Sequence, residues 1–152
     1  MKVKRDITEE INMKLTTLSR YGVRSMFDIA YYGAGKPIKA SQISLRQEIS
    51  LNYIGQIFLR LKKSGLLKSY RGRAGGYYLA LAPEEITIQM IIDAVEGPVD
   101  LVHCRKEETK CPFMNNCVTF PKWKEASKIL ENYFSSITIK DLMDDAGEKG
   151  LK

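Results

Sequence analysis

The sequence contains few of the residues that enzymes and membrane proteins depend on. Its 152 residues include one histidine and one tryptophan. A single histidine beside a cysteine leaves no separate Ser-His-Asp or Cys-His arrangement, so enzymatic activity is not expected. No apolar run reaches the length of a transmembrane helix, and the charged N-terminus lacks the apolar stretch of a secretory signal. We therefore expect a cytoplasmic, non-enzymatic protein that is not bound to a membrane.

Cysteine is also scarce, and the three cysteines lie close together. Cys104, Cys111 and Cys117 are separated by six and five residues and follow directly after His103. An odd number of cysteines excludes a complete intramolecular disulfide framework. Clustered thiols in a reducing compartment more often bind metal or carry out redox chemistry than pack as inert apolar groups. The loop around them is too polar to be core, which favours a site.

Charge is distributed unevenly along the chain. Residues 1–80 hold 15 Lys/Arg and 5 Asp/Glu, a net charge of +10, whereas residues 81–152 have a net charge of −4. A basic half joined to a mildly acidic half suggests a polyanion-binding unit followed by a unit with another task. A solvated basic face is the alternative that charge alone leaves open.

The pattern from residue 17 to residue 65 predicts a helix-turn-helix. An amphipathic helix over 17–32 ends at Gly33, and a short helical stretch, KASQISLRQEIS (39–50), follows. Ser50 stands at an N-cap position, after which an apolar i, i+3, i+4, i+7 stripe predicts a third helix that ends at Gly65. Two helices joined by a tight turn, with polar residues near the start of the second, are typical of this DNA-binding motif. Its candidate DNA-facing residues are Ser50, Asn52, Tyr53, Gln56 and Arg60.

The next segment predicts a β-hairpin wing. LLKSY and YYLAL are typical of short strands, and RGRAGG lies between them. Arg71 and Arg73 are expected to project toward phosphates or the minor groove. Gly72, Gly75 and Gly76 are expected to permit positive-φ turns at the tip. A phosphate-cradling nucleotide loop is excluded because a strand, and not a helix, follows.

The C-terminal half predicts helices and a dimer interface. A helical stretch runs from Pro83 to Gly97, the cysteine loop follows, and Pro121 opens a further helix. Spacings of three and four residues give this helix a coiled-coil seam, which favours a homodimer. The seam consists of Trp123, Ala126, Leu130, Tyr133 and Ile137. We divide the chain into an unassigned leader (1–12), a winged helix-turn-helix domain (13–82), a unit with the cysteine loop and dimerisation helices (83–143), and a flexible tail (144–152).

Four stretches together resemble the IscR/NsrR family of bacterial transcription regulators. They are MKLTTLSRYGVRSMFDIA, ISLNYIGQIFLRLKKSGLL, RGRAGGYYLA and IIDAVEGPVDLVHC, and the similarity runs from residue 13 to about residue 143. The resemblance implies a mainly α fold with a β-hairpin wing and a long C-terminal dimerisation helix. It also implies a homodimer that binds double-stranded DNA at a pseudo-palindromic operator.

The resemblance further implies an iron–sulfur cluster near the dimer interface, which controls DNA binding. Cys104, Cys111 and Cys117 match the family's cluster cysteines, and [2Fe–2S] is favoured over [4Fe–4S]. The two positions that supply a fourth ligand elsewhere in the family hold Phe120 and Arg20 here, and neither side chain ligates iron.

His103 is then a candidate fourth ligand, with nearby carboxylates or an exchangeable small molecule as alternatives. Two other protein classes stay open. One is a cluster-free winged-helix regulator that uses zinc or a thiol–disulfide switch, although a Cys-x-x-Cys pair is lacking. The other is an electron carrier or cluster-transfer protein, for which a winged helix and a basic half have no use.

Overall fold

The computed structural model describes residues 15–102, 104, 111–113 and 115–151. The predicted leader, His103 and residues 105–110 lie outside the described residues. Within the described part, no helix is long and apolar enough to cross a membrane. The elements follow the order α1 (Thr17–Gly33), α2 (Ala40–Gln47), α3 (Leu51–Lys63), β1 (Leu67–Tyr70), β2 (Gly76–Leu79), α4 (Ile88–Val95), α5 (Phe120–Ser135) and α6 (Ile139–Glu148). The expected mainly α fold with one hairpin is confirmed.

Side-chain caps fix where the helices begin. The Thr16 hydroxyl accepts a hydrogen bond from the N–H of Leu18 at the start of α1. The predicted N-cap Ser50 accepts from the N–H of Tyr53 at 3.3 Å. Such caps satisfy backbone donors that have no partner within the helix. The start of α3 is therefore encoded by its own sequence.

The hairpin β1–β2 is antiparallel, and its register places Leu67 opposite Leu79 and Tyr70 opposite Gly76. Ile38 adds a third line of pairing, because its N–H and carbonyl both bond to Tyr77, at 2.9 and 2.8 Å. The wing is thereby attached to the segment between α1 and α2.

The wing glycines have two different roles. Only Gly72 of the three has a positive φ, +117°. A Cβ on Gly75 would lie 2.4 Å from the Tyr70 carbonyl oxygen, and one on Gly76 would lie 2.6 Å from the Ile38 carbonyl oxygen. The expectation of positive φ was therefore wrong for Gly75 and Gly76, where close approach of backbone requires glycine.

One core joins the winged helix to the C-terminal segments. Its buried members are Met26, Ile29, Ala30, Ile38, Ile43, Ile49, Ile54, Ile57, Phe58, Leu61, Leu66, Leu67, Ile86, Ile91, Val95 and Ile139. The last four lie beyond residue 82, so the winged helix-turn-helix shares its core with α4 and α6. Residues on both sides of position 82 thus pack in one core, and the division of the chain at 82–83 stays a prediction.

Two details of the C-terminal half differ from the sequence interpretation. The predicted single helix from Pro83 to Gly97 is divided into a 3₁₀ turn (Pro83–Glu85) and α4, because Ile86 and Thr87 extend to pair with the chain around Thr138. Helix α6 also continues to Glu148, past the expected start of the flexible tail at 144. Ala146 is buried there, which gives these residues a reason to stay helical.

Candidate nucleic-acid interface and cysteine loop

The exposed face of α3 begins at its N-terminus. Ser50, Asn52 and Gln56 are all exposed, as the sequence predicts, while Ile54 and Ile57 are fully buried on the opposite side. Gly55 lies on the exposed face, and a Cβ there would meet nothing within 4 Å. This face offers hydrogen-bonding groups at the end of the helix that enters the major groove in helix-turn-helix proteins.

Two predicted DNA-facing residues have other contacts. Tyr53 is half-buried, and its ring packs edge-to-face on Tyr21 with centroids 5.6 Å apart. The Nη1 of Arg60 donates to the carbonyl oxygen of Val95 at 2.5 Å, so its guanidinium reaches the end of α4. The polar pattern of α3 identified the exposed face, but it did not reveal these contacts.

The wing tip presents the predicted arginines. Arg71 and Arg73 are both exposed, in the turn between β1 and β2. The C-terminal turn of α3 is bonded to β1, because Lys62 of α3 donates to the Ser69 hydroxyl of β1 at 2.8 Å. We call the exposed side chains of residues 50–56 together with Arg71 and Arg73 the reading surface.

A buried ion pair positions α2 against α1. The Asp28 side chain is 0% exposed and accepts from Arg46 Nε at 3.0 Å, Arg46 Nη2 at 2.6 Å and Gln47 Nε2 at 2.9 Å. The hydrogen bonds from Arg46 to the Asp28 carboxylate raise the pKa of the arginine, so it stays charged. Arg46 also lies over the Tyr32 ring, 4.6 Å from its centroid. This network fixes the first helix of the motif and hence the turn that leads to α3.

Sequence reasoning missed this network, although a signal exists. Asp28 is the only Asp or Glu between residues 11 and 47. A lone acid within an apolar helical stripe is rarely buried unless it is paired. The basic partners could therefore have been sought in the next helix.

The three cysteines are free and partly exposed, and within the part of the loop that the structure describes Cys117 has hydrogen-bond partners. Its Sγ accepts from the N–H of Phe120 at 3.4 Å and lies 3.3 Å from the Thr119 hydroxyl. These contacts, the Thr119 hydroxyl first, lower the pKa of Cys117 below its usual value. A lowered pKa favours the thiolate, which is the form that binds metal.

The donor set suits a metal group chemically, since it offers three free thiols and no disulfide. Across the described ranges, which omit His103 and most of the loop, no three His, Cys, Asp or Glu side chains are grouped around a metal position. Phe120 begins α5 next to Cys117, and Arg20 is exposed on α1.

Helix α5 has an exposed apolar side. Trp123 is 44% and Tyr133 60% exposed, and Ile129 is also exposed. Ala126 and Leu130 are half-buried. Ile137 lies beyond the end of α5, where its carbonyl accepts from the N–H of Ile88. The last member of the predicted seam therefore lies outside α5, because the chain turns there to pair with the segment before α4.

A helix-turn-helix with a basic wing defines the chain as a DNA-binding type of protein, and comparison with known proteins is more specific. The profile of the Rrf2 family, described as an iron-dependent transcriptional regulator, matches residues 15–145. The chain is 40% identical over 133 residues to the HTH-type transcriptional regulator IscR of Aliivibrio salmonicida, covering 88% of this chain and 79% of that protein.

Solved structures agree with this comparison. T. potens IscR is similar with a TM-score of 0.75 and 35% identity, covering 91% of this chain and 92% of that one. CymR, the global cysteine regulator of B. subtilis, has a TM-score of 0.70 and 29% identity, covering 86% and 96%. The chain belongs to the Rrf2 family and is an IscR-like, helix-turn-helix transcriptional regulator, not an enzyme.

Proposed function

We propose that this protein is a homodimeric regulator that binds a pseudo-palindromic operator and responds to an iron–sulfur cluster held by its three cysteines. The observation that carries the proposal is the combination of the reading surface with a loop of three free, partly exposed thiols in one folded body. Family membership supports the DNA-binding half, because transcriptional regulators of this family bind DNA.

The reading surface supplies two kinds of contact. Arg71 and Arg73 neutralise phosphates, which gives affinity that depends on salt but not on sequence. Asn52 and Gln56 reach base edges, and Gln or Asn pairs best with adenine. Specificity therefore depends on α3, whereas most of the electrostatic affinity comes from the wing.

Dimerisation rests on the exposed apolar side of α5. Aromatic residues are enriched in interfaces, and Trp123 and Tyr133 expose large rings that would otherwise face water. A two-fold dimer presents two reading surfaces to half-sites about 34 Å apart or a multiple of that distance. Cluster loading then favours one arrangement of the dimer over the other.

Cys104, Cys111 and Cys117 hold the group in this proposal, with His103 as the candidate fourth ligand and [2Fe–2S] as the favoured type. When bound, such a group supplies a redox- or nitric-oxide-reactive centre. The chain's own contribution is visible at Cys117, where Thr119 and the Phe120 N–H stabilise negative charge on sulfur.

The test is anaerobic purification with visible absorption and with iron, acid-labile sulfide and zinc counted per chain. Iron and sulfide are expected in the wild type and are expected to be lost in Cys104→Ala, Cys111→Ala and Cys117→Ala. Phe113→Ala is the matched control, because Phe113 is exposed in the same loop but offers no thiol. Loading that survives all three cysteine substitutions would contradict the proposed ligands.

DNA binding and dimerisation are measured on the same preparations. Arg71→Ala and Arg73→Ala are each expected to reduce the slope of log affinity against log salt by about 1. Lys128→Ala, which removes an exposed cation from α5, should leave the slope unchanged. Trp123→Asp combined with Tyr133→Asp should give monomers by sedimentation; an intact dimer would place the interface elsewhere.

A second candidate is a cluster-free regulator in which zinc or a thiol–disulfide switch uses the same loop. The lowered pKa of Cys117 favours it, since a thiolate attacks disulfides faster than a thiol does. Zinc, or no metal, in a preparation that still binds DNA would select this candidate.

A further inference from the structure

Arg60 differs from the other polar residues on the exposed side of α3 in what it contacts. Its Nη1 donates to the carbonyl of Val95, the last residue of α4, at 2.5 Å. The final carbonyls of a helix lack partners within that helix, and a cation is favoured at this negative end. Arg60 therefore caps α4 from the helix that reads DNA.

A second hydrogen bond holds the same helix end to α1. The Ser19 hydroxyl, 1% exposed, donates to Oε2 of Glu96 at 2.6 Å, and Glu96 is the C-cap residue of α4. We call Ser19, Arg60, Val95 and Glu96 the α4 joint. The packing below it is close, because a Cβ on Gly22 would lie 3.2 Å from Ile91.

The α4 joint stands directly before the cysteine loop. Gly97, with φ +94°, turns the chain away from α4 toward Cys104. The N–H of Leu101 donates to the Ser127 hydroxyl on α5 at 3.1 Å, and that hydroxyl donates to the Trp123 carbonyl. The segment from Gly97 to Leu101 is thus attached to the α4 joint at one end and to α5 at the other, so that a shift of this segment acts on both.

We propose that Arg60 is a positioning residue that ties the orientation of α3 to the end of α4, and so carries the state of the cysteine loop to the reading surface. This rests on the proposed function for what the loop binds. It changes the role expected from the sequence, in which Arg60 contacts DNA. An arginine engaged with a helix C-terminus adds no phosphate contact, but its loss lets α3 shift.

Salt dependence separates the two roles. Arg71 is the matched comparison, because it is an exposed arginine that the proposed function places against phosphate. We expect Arg71→Gln to reduce the salt slope by about 1. Arg60→Gln should weaken operator binding by about 2- to 30-fold without reducing that slope. A slope reduced by Arg60→Gln as much as by Arg71→Gln, or unchanged affinity, would overturn the proposal.

A second variant tests the joint without altering a charge. Ser19→Ala removes the hydrogen bond to Glu96 and touches no DNA, and the exposed Glu96 carboxylate stays hydrated. The ratio of operator affinities between metal-loaded and chelator-stripped protein is expected to move toward 1 in Ser19→Ala and Arg60→Gln at unchanged metal content. A wild-type ratio retained in both variants would refute the coupling.

Failure of the proposed function looks different from failure of this inference. A wild-type protein that binds no operator, or loads no iron, contradicts the proposed function itself. Wild-type binding with an effect of Arg60→Gln on the salt slope equal to that of Arg71→Gln contradicts only the positioning role. Thermal unfolding of each variant shows whether a lost affinity reflects α3 orientation or unfolding.

Discussion

Breaking the Asp28–Arg46 pair should destabilise the protein, because the Asp28 side chain is fully buried. Asp28→Ala removes the acceptor of three hydrogen bonds and leaves Arg46 without its carboxylate. Removing one partner of a buried pair costs about 3–5 kcal/mol. Arg46 is 30% exposed and is rehydrated in the variant, so we expect a cost below that range, about 2–3 kcal/mol. For a chain of this length that lowers the thermal midpoint by about 4–12 °C.

The assay is a double-mutant cycle in urea unfolding with Asp28→Ala, Arg46→Ala and both together. A coupling free energy of about 1–3 kcal/mol is expected between directly bonded residues. Lys128→Ala provides the comparison, because the exposed Lys128–Glu131 pair should contribute less than about 1 kcal/mol. A coupling below about 0.5 kcal/mol would refute the reasoning that this pair fixes α2 on α1.

Three further predictions concern the wing, the thiol and a helix cap. Gly76→Ala should destabilise by about 1–3 kcal/mol, because its Cβ would lie 2.6 Å from a backbone oxygen, whereas Gly55→Ala, in open space, should stabilise by up to about 1 kcal/mol in thermal unfolding. In reduced, metal-free protein, Thr119→Val should slow iodoacetamide alkylation of Cys117 near neutral pH, because the lost hydroxyl raises its pKa; an unchanged rate would contradict this. Backbone and hydroxyl hydrogen bonds from Thr138 lower the pKa of Asp141, so its contribution to stability is present above about pH 4 and is lost as pH falls through the lowered value. The difference in thermal midpoint between the wild type and Asp141→Asn should therefore disappear over the same pH range.

Local patterns predicted most of the winged helix because its determinants are local. The Ser50 cap and the apolar stripe of α3 depend on neighbouring residues, and the structure places both as expected. The roles of Arg60 and Asp28 depend on partners 35 and 18 residues away, which spacing along one helix does not reveal. Ile137 has the spacing expected for the apolar side of α5, but it lies outside the helix because its carbonyl pairs with the N–H of Ile88.

The position of the cysteine loop could be predicted from the sequence, but the contacts of its thiols could not. Spacing brought three thiols into one segment, and the contacts that set the thiolate character of Cys117 come from the two residues that lead into α5. A threonine and a phenylalanine two and three residues after a cysteine are a weak signal in a single sequence.

The shared core also determines when the helix-turn-helix can finish folding during synthesis. Ile139 and Ala146 are buried against elements that leave the ribosome much earlier, and Ile139 pairs with Ile86 through its backbone. Chains are made from the N-terminus, and a domain folds as a unit once its core is complete. The helix-turn-helix is therefore finished only after all three cysteines have emerged.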